Sequence, residues 1–277
     1  MKFLLFVFSL FISFYSSAQF YYKDILGTNE TSAMMQAYKN NKVSRVVVNS
    51  YDADNTRQTD LAMQQQFSPA ENKLTTTTQL DNNRPSVLIS FLDAAGRVIK
   101  TIDSSRFLAT TTEYEYNDNG LLTSIVSTSA DSANNKSTDQ HVWQYANGKI
   151  IGMMRIKNAK DTTFVSFKTD SNGNVIEEQE TRRGVKASPI YYYYDGDNRL
   201  TDVVRYNNRA RRLLPQYLLE YSHDGRVVQR ITVPENGDNY LIWRYQYNEQ
   251  GLKTKEAIYN KQKELTGKVE YQYSFTN

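Results

Sequence analysis

One short pattern recurs along this chain: aromatic, any residue, aromatic, three polar residues, glycine, then an aliphatic within two positions. The clearest copies are Tyr114-Glu115-Tyr116-Asn117-Asp118-Asn119-Gly120-Leu121-Leu122 and Tyr245-Gln246-Tyr247-Asn248-Glu249-Gln250-Gly251-Leu252. Looser copies run from Leu219 to Val227, from Tyr192 to Leu200, from Trp143 to Ile150, from Phe167 to Val175 and from Ser90 to Val98. The glycine slot holds Gly96, Gly120, Gly148, Gly173, Asn198, Gly225 and Gly251, at steps of 24, 28, 25, 25, 27 and 26. A period of this size marks a repeat architecture, in which each unit buries its apolar face only against its neighbours.

The residues of one unit specify a hairpin. Tyr245 and Tyr247 are two apart, the spacing that puts both rings on one face of a strand. Glycine, or asparagine in its place, supplies the positive φ of a tight turn, and the preceding Asn or Asp bonds back to its own backbone. A second polar cluster separates successive hairpins: Asp81-Asn82-Asn83, Ser104-Ser105, Asn158-Ala159-Lys160, Arg182-Arg183-Gly184, Asn207-Asn208, Asn236-Gly237-Asp238 and Asn260-Lys261. Two turns per unit predict strands of roughly eight residues and about sixteen strands in all. The expected fold is therefore all-β: tandem hairpins forming a long antiparallel meander sheet that coils, behind a short N-terminal helix. The helix is predicted over Thr28 to Lys42, where Ala33, Met34, Ala37 and Tyr38 fall at helical spacing.

Met1 to Ala18 has one early lysine, an apolar run from Phe3 to Phe14 and a small-residue end, the order of a secretory signal peptide. The expected division is a signal peptide over 1–18, a lead with the short helix over 19–42, and the hairpin-repeat domain over 43–277. Loss of Lys2 takes the net charge from +3 to +2, which gives no bulk attraction to nucleic acid or membrane. No other window approaches the roughly 20 apolar residues of a spanning helix, so no membrane span is expected in the mature chain. Cysteine is absent, which removes disulfides, thiol catalysis, zinc ribbons and lipid anchoring through an N-terminal Cys. The expected location is the periplasm, cell surface or extracellular space, not as a lipoprotein.

The pattern tyrosine, any, tyrosine, polar turn, glycine, basic residue, aliphatic resembles the tyrosine-aspartate (YD) repeats of the Rhs type. Tyr194-Asp195 with Arg199-Leu200, and Tyr221 with Gly225-Arg226-Val227, carry the match. The resemblance covers about 90 to 277 and implies β-sheet shells; in that family such shells often enclose a toxic C-terminal domain. A weaker similarity to MORN-like repeats rests on Tyr145-Ala146-Asn147-Gly148-Lys149-Ile150. Both imply repeat architecture and neither implies an activity.

Catalytic and metal chemistry find little support. Asp170-Ser171-Asn172-Gly173-Asn174 and Asp52-Ala53-Asp54-Asn55 begin like calcium loops but lack the glycine and the acid that complete one. The two histidines, His141 and His223, are far apart, and His223 occupies a turn slot. No catalytic residue, metal or cofactor is expected. Two surfaces are candidates for binding. One is an aromatic face built from Trp143, Tyr145, Tyr192, Tyr194, Trp243, Tyr245 and Tyr247, whose rings should stack across hairpins. The other is a set of basic turns: Lys157 and Lys160, then Arg182, Arg183 and Lys186, then Arg209, Arg211 and Arg212. An envelope glycan or another protein is the expected partner. The function read from these features is that of an exported, non-catalytic structural or binding module. The alternatives are an outer-membrane β-barrel, suggested by the alternation of Val269, Tyr271, Tyr273 and Phe275, and an envelope polysaccharide hydrolase. Glu177, Glu220 and Arg244 within strands argue for the open sheet over the barrel.

Overall fold

The computed structural model describes residues 20–81, 83–234 and 239–276. The expected signal peptide, Asn82 and the turn Asn236-Gly237-Asp238 lie outside the described residues. The chain opens with helix α1 (Tyr22–Asn40), followed by β1 (Val43–Asp52), β2 (Leu61–Ser68), β3 (Lys73–Leu80), β4 (Ser86–Leu92) and β5 (Val98–Ser104). Next come β6 (Leu108–Tyr116), β7 (Leu122–Asp131), β8 (Lys136–Ala146), β9 (Lys149–Lys157) and β10 (Asp161–Thr169). Then follow β11 (Val175–Arg182), β12 (Val185–Lys186), β13 (Ile190–Tyr194), β14 (Leu200–Asn207) and β15 (Arg212–Tyr221). The last are β16 (Val227–Thr232), β17 (Leu241–Tyr247), β18 (Lys253–Tyr259) and β19 (Leu265–Phe275).

Each strand pairs antiparallel with its sequence neighbour, and the ring then closes. β1 pairs with β19 from Val43 opposite Phe275 to Asp52 opposite Gly267. β12 is a two-residue extension on β11, which also pairs with β13, so among the described residues the nineteen strands occupy eighteen positions around a barrel. This corrects the expectation of an open, coiling meander. Twist accumulated over this many strands brings the two ends together, and closure removes both unpaired edges. It also corrects the expectation that the mature chain has no membrane span. That expectation rested on helical spans, of which there are none among the described residues, whereas a closed barrel crosses membranes with strands.

The hairpin turns are built as their residues dictate. Asn117 N–H donates to Leu121 O, Gly120 N–H donates to Asn117 O, and Asn117 Oδ1 accepts from the backbone of Asn119 and Leu121. Gly120 sits at φ 77°, and the register slips by one residue at Tyr116. The same slip recurs at Tyr194, Tyr221 and Tyr247, the second aromatic of each unit. A bulge at that place strengthens the local twist and turns the ring inward.

Helix α1 sits in the barrel mouth that carries these glycine turns. Gln36 Nε2 donates to Gly96 O (2.7 Å), and Lys39 Nζ donates to Asn72 Oδ1 (2.9 Å), both acceptors in turns at that end. The approach at Gly96 is close enough that a Cβ there would lie 2.6 Å from the Gln36 side chain, and its φ of 80° already favours glycine. One face of the helix, with Asn29, Glu30, Ala33 and Gln36, remains exposed, while Thr28, Thr31, Ser32, Met35 and Tyr38 pack inward. The helix begins six residues before its expected start. No local side chain caps it; instead the Glu178 carboxylate on β11 accepts the backbone N–H of Tyr21 (2.8 Å) and of Tyr22 (3.0 Å).

Candidate binding surfaces and the charged interior

The seven residues of the expected aromatic face all point into the barrel. Trp143, Tyr192, Trp243 and Tyr245 are buried, and Tyr145, Tyr194 and Tyr247 pack against the same clusters. Around Trp143 and Tyr192 these residues form one core with Tyr21, Met153, Phe167 and Val175, onto which Phe20, Tyr22, Ile25 and Leu26 of the helix segment pack. Neighbouring units are linked by ring contact at Trp143 and Phe167 (5.8 Å between centroids) and, recurrently, by a hydrogen bond. Where a unit has a second tyrosine, its hydroxyl donates to the backbone carbonyl of the first strand residue after the preceding turn. The pairs are Tyr116 to Val98, Tyr145 to Leu122, Tyr194 to Val175, Tyr221 to Leu200, Tyr247 to Val227 and Tyr273 to Lys253, at 2.7–2.9 Å. The basic residue after the turn lies over the ring of the next unit: Arg97 over Tyr116, Arg199 over Tyr221 and Arg226 over Tyr247. Each buried hydroxyl is thereby satisfied, and the hairpins are stitched in one direction around the ring.

A cluster of charges lies beneath the helix N-terminus. Asp24 Oδ2 stands 2.7 Å from His141 Nδ1 on β8, and His141 Nε2 is 3.6 Å from Asp139. Arg155 on β9 holds Asp139 through Nε (2.9 Å) and Nη2. Burial opposes charging of the His141 ring, but its bonds to Asp139 and Asp24 outweigh that and raise its pKa to about 9. Asp139 is held well below the usual carboxylate range, where His141 and Arg155 overcome its burial. Burial pushes the Glu178 carboxyl up to about 7, against the bonds from Tyr21, Tyr192 and Tyr22. A charged histidine clamped between two carboxylates is a cross-link; it has no lone pair to act as a base. Sequence reasoning missed this cluster because Asp24 and His141 are 117 residues apart and nothing local couples them. Among the described residues no group of acids and histidines could hold a metal.

The basic turns all lie at the opposite end of the barrel. Lys157 and Lys160 flank the β9–β10 turn, Arg182, Arg183 and Lys186 the β11–β12 turn, and Arg209, Arg211 and Arg212 the β14–β15 turn. All eight are exposed, and Arg182 is paired with Asp161. Glu180, Arg182, Arg183, Val185, Lys186 and Ala187 line a shallow recess there.

No family model matches the chain, and no curated protein matches it. Among solved structures it is similar to a porin-like protein from Bacteroides uniformis (TM-score 0.39, 10% identity), covering 84% of this chain and 98% of that one. A porin-like protein from Bacteroides vulgatus matches at TM-score 0.22 and 12% identity over the same shares. The TcdB2–TccC3–TEV structure matches at TM-score 0.34 and 11% identity, over 78% of this chain and 12% of that one. At these scores the likenesses assign no function.

Proposed function

We propose that the chain works in the cell envelope as a non-catalytic barrel, a structural or binding module closed at one mouth by its own helix. The seat of α1 carries this reading. Its bonds reach β2, β5, β8 and β11 (Tyr38 to Gln65, Ser32 to Val98, Asp24 to His141, Tyr21 to Glu178), so the glycine-turn mouth is stoppered from several sides. The clamped charge state of His141 supports the absence of catalysis, and the recurring tyrosine-to-carbonyl bond supports treating the hairpins as one repeated, YD-like unit. The test is cell fractionation followed by gel mobility with and without heating, and conductance in planar bilayers. The expected result is an envelope-associated band that migrates faster unheated and forms no steady channel. A cytoplasmic pool of full-length chain, or steady conductance, would overturn it.

An outer-membrane barrel is the narrower second reading, favoured by closure and by apolar outward positions away from the helix. Val142 pairs with Met154 and Met154 with Phe164, while Val204 pairs with Tyr191 and Pro215 on the outer face. Near the glycine turns the surface carries ion pairs, Lys100 with Glu113 and Lys168 with Glu177, beside exposed Ile99, Ile151, Ile176 and Tyr193. Resistance of the envelope-bound chain to alkaline carbonate extraction is the outcome expected of a spanning barrel.

A further inference from the structure

We propose that the basic rim is a docking surface for an anionic lipid bilayer. Charge alone would suit any polyanion. The rim, however, interleaves its cations with large apolar side chains held out in solvent. Val185 is 72% exposed beside Arg183 and Lys186, and Leu213 is 47% exposed beside Arg211 and Arg212. Just below them on the outer wall, Phe164 is 55% exposed, and Tyr206, opposite Leu213 across β14–β15, is 39% exposed. None of these four belongs to the barrel core, so folding does not account for them. The inner wall behind them is polar. Asp139 is bonded to Arg155, Asp161 to Arg182, Thr110 to Ser129 and Thr112 to Ser127. At this end, then, exposed apolar tips stand among the basic turn residues, around a polar interior.

A bilayer interface matches that arrangement. Aliphatic tips enter the boundary between headgroups and acyl chains, arginine and lysine stems lie along it, and their charged heads meet lipid phosphates. Asp161 and Glu180 face the same rim, and Asp161 is neutralised by Arg182, which leaves Lys160, Arg183, Lys186, Arg211 and Arg212 to set its sign. The inference rests on the rim and not on whether the other mouth is sealed.

The experiment is co-sedimentation of purified chain from residue 19 onward with phosphatidylcholine vesicles, with and without phosphatidylglycerol, at low and high salt. Two variants separate the contributions, R183Q/K186Q/R211Q/R212Q and V185S/L213S, with K100Q/K168Q on the opposite half as the charge control. All substituted side chains are exposed or partly so, and unchanged thermal melting checks that each variant folds. Binding is expected only with the anionic lipid, weakened at least about tenfold by the four-residue variant and by a smaller factor by V185S/L213S, and unaffected by the control. Equal binding to neutral vesicles would overturn the role of charge. Undiminished binding of V185S/L213S, together with full displacement by soluble polyphosphate, would identify a polyanion site and overturn the lipid assignment. Absence of binding to either vesicle would overturn it outright.

Discussion

The two halves of the barrel are made from the same strands and fill their interiors differently. Toward the glycine turns, inward positions carry Trp143, Tyr192 and Val203, and the surface mixes Lys100, Glu113, Lys168 and Glu177 with exposed Ile99, Ile151, Ile176 and Tyr193. Toward the inter-hairpin turns, inward positions carry Asp139, Arg155 and the bonded Thr110 and Ser129, and outward ones Val142, Met154 and Phe164. Alternation along a strand fixes only that neighbours face opposite ways; whether the inward face is apolar or polar changes partway along. The half that holds the helix is packed as an apolar core, whereas the other half encloses ion pairs and bonded hydroxyls.

The largest effect should come from emptying the aromatic half. Trp143→Ala, opposite Met153 and 5.8 Å from the Phe167 ring, is expected to cost about 3–5 kcal/mol, read from the urea midpoint. A loss under about 1 kcal/mol would mean that this half is not a packed core. Glu178→Ala comes next. It strands the Tyr21 and Tyr22 N–H groups and the Tyr192 hydroxyl, at a cost of about 3 kcal/mol, and should expose Lys23 to trypsin.

A titration sharpens the comparison further. The folded pKa of His141 lies above its value of 6.5 in the open chain, at about 9. The stability it contributes is complete below about pH 6.5 and is lost as pH rises through about 9. His141→Gln should flatten that decline in thermal melting across the window. Tyr221→Phe removes one rung of the ladder and should cost about 1 kcal/mol, similarly at other rungs if the units are equivalent. Leu213→Ser at the rim should change stability by less than about 0.5 kcal/mol, since an exposed tip contributes to docking and not to folding.

Some of this was written locally and some was not. Tyr247, Asn248 and Gly251 specify ring, turn and bulge within a few residues, so the hairpins and their period were legible. The basic turns could be placed at one end by counting strands. Closure could not, because Val43 meets Phe275 only after every intervening strand has added its twist. The early helix start was also hidden, since its cap, Glu178, comes from β11. Likewise Glu177, Glu220 and Arg244, which suggested an open sheet, sit on the outer wall of a closed one.

By itself the sequence determined a tandem array of two-stranded units with aromatics on one face and glycine or asparagine at every second turn. Those are consequences of period-2 side-chain direction and of backbone angles that few residues adopt. Tertiary structure alone decided that the array closes, that the helix enters it, that Asp24 finds His141, and that the interior is apolar at one end and polar at the other. Each of those depends on the summed twist and stagger of many strands, a quantity that no single repeat contains.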